Sequence, residues 1–272
     1  MAAMTPTTSP TSTPRSRSGA GFGWAVRDAL AMTGRNFLNM RRLPQVLVFS
    51  LVQPVIFTLM FRYVFGGAIK IPGQSYVNYL MPGIFVQTLA FGAISTAIGL
   101  AEDKGKGLLD RLKSLPMSRS AVLAGRVMAD TVRNFAIICL LVGIAYAVGF
   151  RAQTNVAMVA LGIGVMVLFG LALAWIFAFL GLSAANGEAA QAASFPLMAP
   201  LVFASNLFVD PRTMPSWLRG WARNQPVSAT AKAVRACMLG GPTAKPVIIV
   251  VLWAIGITAV VAPLAAMRYR KL

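Results

Sequence analysis

The 272-residue chain is 57% hydrophobic and only 12% charged, with 25 Lys and Arg against 7 Asp and Glu and a mean hydropathy of +0.69. A soluble domain carries about 25% charged residues, so the composition excludes an ordinary globular protein; apolar runs of bilayer length make this an integral membrane protein. The formal charge of +18 does not signal nucleic acid, because the basic residues cluster in the breaks between apolar runs, where topogenic Lys and Arg belong.

In chain order, residues 1–20, "MAAMTPTTSPTSTPRSRSGA", are rich in Thr, Ser and Pro without periodicity and read as a disordered tail, not a signal peptide. Residues 22–42 pattern as an amphipathic helix lying in the headgroup layer: Phe22, Val26, Leu30 and Phe37 share one face, with Arg27, Arg35, Arg41 and Arg42 supplying positive charge. Six apolar runs follow as candidate spans, at about 46–65, 77–101, 127–150, 157–182, 189–209 and 247–267. The third is short in strictly apolar residues and is expected to begin in the polar segment before it, with Arg126 and Asp130 a favourable i,i+4 pair. The fifth carries Pro196 and Pro200, which kink a helix unless neighbours satisfy the freed carbonyls. Within the fourth, "GIGVMVLFG" (Gly162 to Gly170) reads as close helix packing.

Lys and Arg counts set an expected orientation. Segments 1–45 and 102–126 hold six each and the C-terminal tail three, whereas 66–76 and 151–156 hold one each; both termini and the 102–126 segment are therefore expected in the cytoplasm. The break at 210–246 disagrees. Its six basic residues, Arg212, Arg219, Arg223, Lys232, Arg235 and Lys245, would favour the inside, yet six spans put it outside.

In the 102–126 segment Leu108, Leu112 and Leu115 recur at i, i+4 and i+7, and Pro116 ends the stripe. Two readings stand: a solvated loop obeying the charge rule, or a helix that presses its leucines into a groove on a cytoplasmic partner.

The stretch "AEDKGKGLLDRLKSLPMSRSAVLAGRVMADTVRN" resembles the central motif of the membrane subunits of type-2 ABC exporters, in particular the daunorubicin-resistance-type permeases. Glu102, Asp103, Gly107, Asp110, Arg111, Leu112, Leu115, Pro116, Arg119, Gly125, Arg126 and Asp130 fall where that pattern has them. Downstream, "NQPVSATAKAVRACMLGGP" (Asn224 to Pro242) is similar to the family's segment before the last span, and the likeness extends over about residues 22–270. It implies an all-α membrane protein of six spans with an interfacial helix before the first. It further implies a coupling helix between spans two and three, carrying Glu102, Asp103, Gly107, Leu108, Asp110, Arg111, Leu112, Leu115, Pro116 and Arg119 against a cytoplasmic ABC ATPase subunit. Short re-entrant outer helices would precede span six, placing Trp217, Leu218 and Trp221 at interface depth with Arg219 and Arg223 towards headgroups. From Pro226 a second such helix would set Val227, Ala231, Val234 and Met238 on one side. The implied activity is export of an amphipathic lipid-like, polyketide or drug-like cargo across the bacterial plasma membrane by a pair of permeases, two copies or a sister pair, in contact with membrane lipids.

No G-x-x-x-x-G-K-[ST] motif occurs, so ATP and magnesium are expected on the partner ATPase and no cofactor on this chain. The chain has no histidine, which removes His-based metal sites and Ser-His-Asp chemistry. Cys139 and Cys237 read as packing residues. Gln53, Gln87, Gln191 and Asn206 are the intramembrane polar side chains, with Glu188 and Arg62 near span ends. All but Arg62, which is placed to snorkel, are candidates for the substrate pathway. The rivals are a carrier driven by an ion gradient, which wants acidic residues at mid-membrane, and a membrane scaffold that transports nothing.

Overall fold

The computed structural model describes residues 44–60, 63, 76–108, 119–208 and 214–271, and these are helical with no strand among them. The elements are α1 (Pro44–Met60), α2 (Tyr76–Gly92), α3 (Ile94–Gly105), α4 (Arg119–Ala147), α5 (Val156–Ser183), α6 (Gly187–Phe203), α7 (Ser216–Asn224), α8 (Pro226–Leu239) and α9 (Ala244–Lys271). The expected tail at 1–20, the interfacial helix at 22–42 and Arg62 lie outside the described residues.

Among the described residues, four helices are long and apolar enough to cross a membrane: Val77–Gly105, in which α2 runs on into α3, then Leu123–Ala147, Val156–Ser183 and Ala244–Arg270. As described, α1 and α6 are 17 residues each, about 25 Å of helix, short of a ~30 Å hydrocarbon core. Local chemistry sets the ends. Asn155 Oδ1 accepts from Met158 N at 2.9 Å and Asn186 Oδ1 from Ala189 N at 2.8 Å, capping α5 and α6 in the usual N-cap manner. Gly107, at φ +66°, ends α3, and Gly149, at φ +103°, ends α4, in a region where a side chain is disfavoured. As expected, α4 begins well before its apolar run, at Arg119.

α5 is the central pillar. A Cβ on Gly162 would meet Cys237 Cβ at 3.2 Å and one on Gly170 would meet Leu89 Cδ2 at 2.6 Å, while Gly181 lies against the Ala97 backbone. The expected close packing thus holds at Gly162 and Gly170; Gly164 has nothing within 4 Å. Leu80, Phe85, Leu89, Phe169, Phe177 and Met198 are buried in one cluster, and the Phe85 and Phe150 rings meet edge to face at 6.0 Å. In lipid such contacts gain dispersion and fit rather than release of water. Ile248, Leu252, Ile255 and Val260 of α9 remain exposed, the outward face of a helix against acyl chains. Cys237 is buried but Cys139 is exposed, so only the first is a packing residue within the chain.

Despite Pro196 and Pro200, α6 is continuous to Phe203 and then unwinds through 204–208. Ser205, Asn206 and Leu207 are buried, so their backbone groups need partners. They have them. Asn206 N donates to Ser228 Oγ at 3.1 Å, Gln225 Nε2 donates to Ala204 O at 2.8 Å, and Arg235 donates to Asn206 O at 2.9 Å and Leu207 O at 2.6 Å.

Candidate functional site

Glu102 and Asp103 of the expected coupling segment sit at one end of the bundle. Glu102, exposed, pairs with Lys106 at 3.1 Å; Asp103 pairs across to α4, its Oδ2 2.7 Å from Arg126 Nη1. Lys104 donates to Leu182 O at 3.2 Å and Ala184 O at 3.0 Å, satisfying carbonyls at the C-terminal end of α5 that the helix leaves open. Gly107 and Leu108 are the last described residues before a break. Asp110, Arg111, Leu112, Leu115 and Pro116 lie outside the described residues, and Arg119 opens α4.

From Asp103 a ladder of charge runs inward along the α3–α4 contact. Arg126 Nε is 3.5 Å from Asp130 Oδ2, confirming the expected i,i+4 pair, and Arg133 Nη1 is 3.0 Å from Asp130 Oδ1. Arg133 Nη2 then donates to Gly92 O at 3.3 Å and to Ser95 Oγ, holding a carbonyl freed where α2 passes into α3. Two carboxylates and two guanidiniums leave the ladder neutral. Gly99 leaves room for the Arg126 guanidinium, and a Cβ on Gly92 would meet Asn134 Oδ1 at 3.2 Å. Asp130 is buried about two turns inside the span Leu123–Ala147, a placement the apolar-run reading did not anticipate; its charge is balanced where it stands.

Beside the ladder a groove of about 810 Å³ follows α6 from Glu188 past Gln191, Ala192 and Phe195 to Phe203, with Gln53, Phe57, Gln87, Phe91 and Ser95 opposite. From Glu188 to Phe203 is fifteen residues of one helix, about 22 Å of rise, so the groove runs most of a bilayer's depth. Gln53, Phe57, Gln87, Phe91 and Ser95 also border a smaller pocket of about 200 Å³ that reaches Arg133 and Asn134 on α4. Four of the five expected pathway residues, Gln53, Gln87, Glu188 and Gln191, thus line one groove. Asn206 does not: it belongs to the unwound end of α6. The sequence reading missed Asn134 and the inward reach of Arg133, although residues 126, 130, 133 and 134 share one helical face inside an otherwise apolar run.

Three of the six basic residues of the 210–246 break, Arg219, Lys232 and Arg235, donate to backbone carbonyls. Arg235 donates to Tyr79 O at 3.0 Å as well as to the two α6-end carbonyls, and its guanidinium carbon lies 3.9 Å from the centre of the Tyr79 ring, a close cation–π contact. Lys232 donates to Arg223 O at 2.9 Å, and burial, then Arg223 and Arg235, hold its ammonium below the ordinary lysine value. Arg219 donates to Met214 O at 3.0 Å, just before the start of its own helix. Each of these three cations thus donates to backbone carbonyls. Trp217 and Trp221 are exposed on α7, whereas α8 is buried on more sides than the expected one: Val227, Ala231, Val234 and Met238, but also Ser228, Ala233 and Cys237.

A multi-pass helical membrane protein with a polar-studded groove along one helix and a neutral charge ladder at one end is the class these features define. The chain belongs to the ABC-2 type transporter family, whose profile matches residues 27–239. It is 34% identical over 247 residues to the daunorubicin resistance ABC transporter permease protein DrrB1 of Streptomyces coeruleorubidus, covering 91% of this chain and 87% of that protein. It is 27% identical over 263 residues to a probable doxorubicin resistance ABC transporter permease protein, DrrC, of Mycobacterium tuberculosis, covering 96% and 94%. A putative transport permease, ycf38, of Cyanophora paradoxa is 23% identical over 214 residues, covering 77% and 73%. The chain is accordingly a type-2 ABC permease of the daunorubicin-resistance type, a transport subunit of an ABC transporter assembly.

Proposed function

We propose that this chain is the membrane half of an ATP-driven exporter in the bacterial plasma membrane. Its cargo is an amphipathic, polyketide-like or drug-like molecule taken from the cytoplasm or inner leaflet. α1 and α6 complete six spans, with both termini in the cytoplasm and α7 and α8 re-entrant from the outer side. Residues 102–119 couple to a cytoplasmic ABC ATPase that binds ATP and magnesium, and a second copy or a sister permease closes the groove from the open side of α6. The observation that carries the reading is the groove itself: largely apolar walls, the three glutamines Gln53, Gln87 and Gln191, one carboxylate, Glu188, and a length that follows most of α6. Such a lining suits an apolar cargo with a few polar groups, which needs occasional hydrogen bonds but no fixed ion site.

Mechanically, ATP binding draws the ATPases together and moves the 102–119 segments. The Asp103–Arg126 contact passes that movement to α3 and α4, the walls beside the groove. The energetic role of the permease is a different affinity for cargo in its two arrangements. Leu112→Asp tests the docking step, since an unpaired charge in a buried contact is costly: the variant is expected to lose co-purification with the ATPase and cargo-stimulated ATP hydrolysis. Retention of both refutes the docking role.

A further inference from the structure

We infer that the pocket between α1, the α2–α3 junction and α4 is a hydrogen-bonding subsite for neutral oxygen groups, carbonyl or hydroxyl, on a fused-ring cargo whose apolar body lies in the groove. The inference rests on the groove being the transport path and adds to it what the path recognises.

Two buried amides carry it. Gln87 is 3% exposed and Asn134 5% exposed; Gln87 Oε1 and Asn134 Nδ2 have no hydrogen-bond partner among the described residues, and both residues line the same pocket of about 200 Å³. A buried amide left unsatisfied is costly. A purely structural role would pair the two with each other or with backbone; here one acceptor and one donor are left unpaired on two residues that border one space. Gln53, Ser95 and Arg133 complete the polar wall, and Phe57 and Phe91, which border both pocket and groove, offer aromatic surface to a flat ring. The charge of Arg133 is already met by Asp130 at 3.0 Å. The subsite therefore has no surplus positive charge for a phosphate or carboxylate, and uncharged oxygen is what its donors and acceptor fit.

The test uses the exporter assembled with its ATPase in inside-out vesicles and daunorubicin, an oxygen-bearing fused-ring molecule, as probe. Gln87→Leu and Asn134→Leu are each expected to raise KM for daunorubicin about tenfold, the loss of about one hydrogen bond, with a smaller change in kcat. The melting temperature of the cargo-free permease stays the same or rises, because an unsatisfied polar group has gone. Gln87→Asn and Asn134→Gln, which keep the amide, recover part of the affinity. Unchanged KM in both leucine variants overturns the subsite, whether melting rises, as for a pocket that only holds water, or falls, as for a packing role. Ala192→Trp, which fills the groove, separates the two readings: blocked transport with unchanged KM in the amide variants sinks the subsite alone, whereas intact transport with Ala192→Trp sinks the path. A wild-type exporter that ignores daunorubicin overturns the assignment to this cargo class.

Discussion

Asp103, in the last turn of α3, and Arg126, early in α4, meet at 2.7 Å with about a quarter of each side chain exposed. They join α3 to the helix whose Arg133 reaches the pocket wall.

Removing either partner leaves a partly buried charge without its counterion. Asp103→Asn and Arg126→Gln are each expected to destabilise the purified permease by about 1–2 kcal/mol. The double variant should be milder than the sum, because the two changes share one interaction. Thermal unfolding in detergent with a double-mutant cycle measures the coupling; strict additivity would mean that the pair carries no energy of its own.

Gly181 is the tightest approach of α5 to α3, against the backbone of Ala97. Backbone cannot rotate away as a side chain does, so Gly181→Val must push the helices apart, at about 3 kcal/mol or more. Gly164 has open space around its Cβ position, and Gly164→Ala should be neutral or stabilise by about 0.5 kcal/mol through helix propensity. Melting temperatures of the two variants should therefore move in different directions.

Arg235 holds three carbonyls and one aromatic face at once. Lysine keeps the charge but lacks the planar fork, so Arg235→Lys is expected to cost about 2 kcal/mol and to loosen the unwound end of α6. Hydrogen exchange at Asn206 and Leu207 should rise in Arg235→Lys while that of the α5 core stays unchanged. No increase would show that the fork is not what secures that segment.

Much of this architecture was legible as apolar runs, since a helix in lipid must satisfy its backbone internally and so announces itself by length. The Arg126–Asp130 pair followed from helical spacing and the early start of α4 from the shortness of its apolar run, and four of the five polar residues named for a path border one groove. The family motif, too, was visible in the order of Glu102, Asp103, Gly107 and "DRL". What spacing could not supply was which neighbour a polar residue meets. Arg235, Lys232 and Arg219 looked topogenic in sequence; in the structure Arg235 holds carbonyls at the unwound end of α6, nearly thirty positions away, while Lys232 and Arg219 donate to the nearer carbonyls of Arg223 and Met214. Asn206, named with the path residues, lies instead at the unwound end of α6, its carbonyl held by Arg235. Asn134 was hidden in an apolar run and gains meaning only opposite Gln87, forty-seven positions away in sequence.

The most direct test of the account places a bulky group in the groove after the exporter has assembled. In a Cys139→Ser background, Gln191→Cys labelled with a large maleimide should abolish ATP-driven daunorubicin uptake into inside-out vesicles, and cargo should slow the labelling. The same reagent on Ile249→Cys, on the outward face of α9, should leave uptake intact. Full uptake with Gln191→Cys completely labelled would contradict the groove as the path.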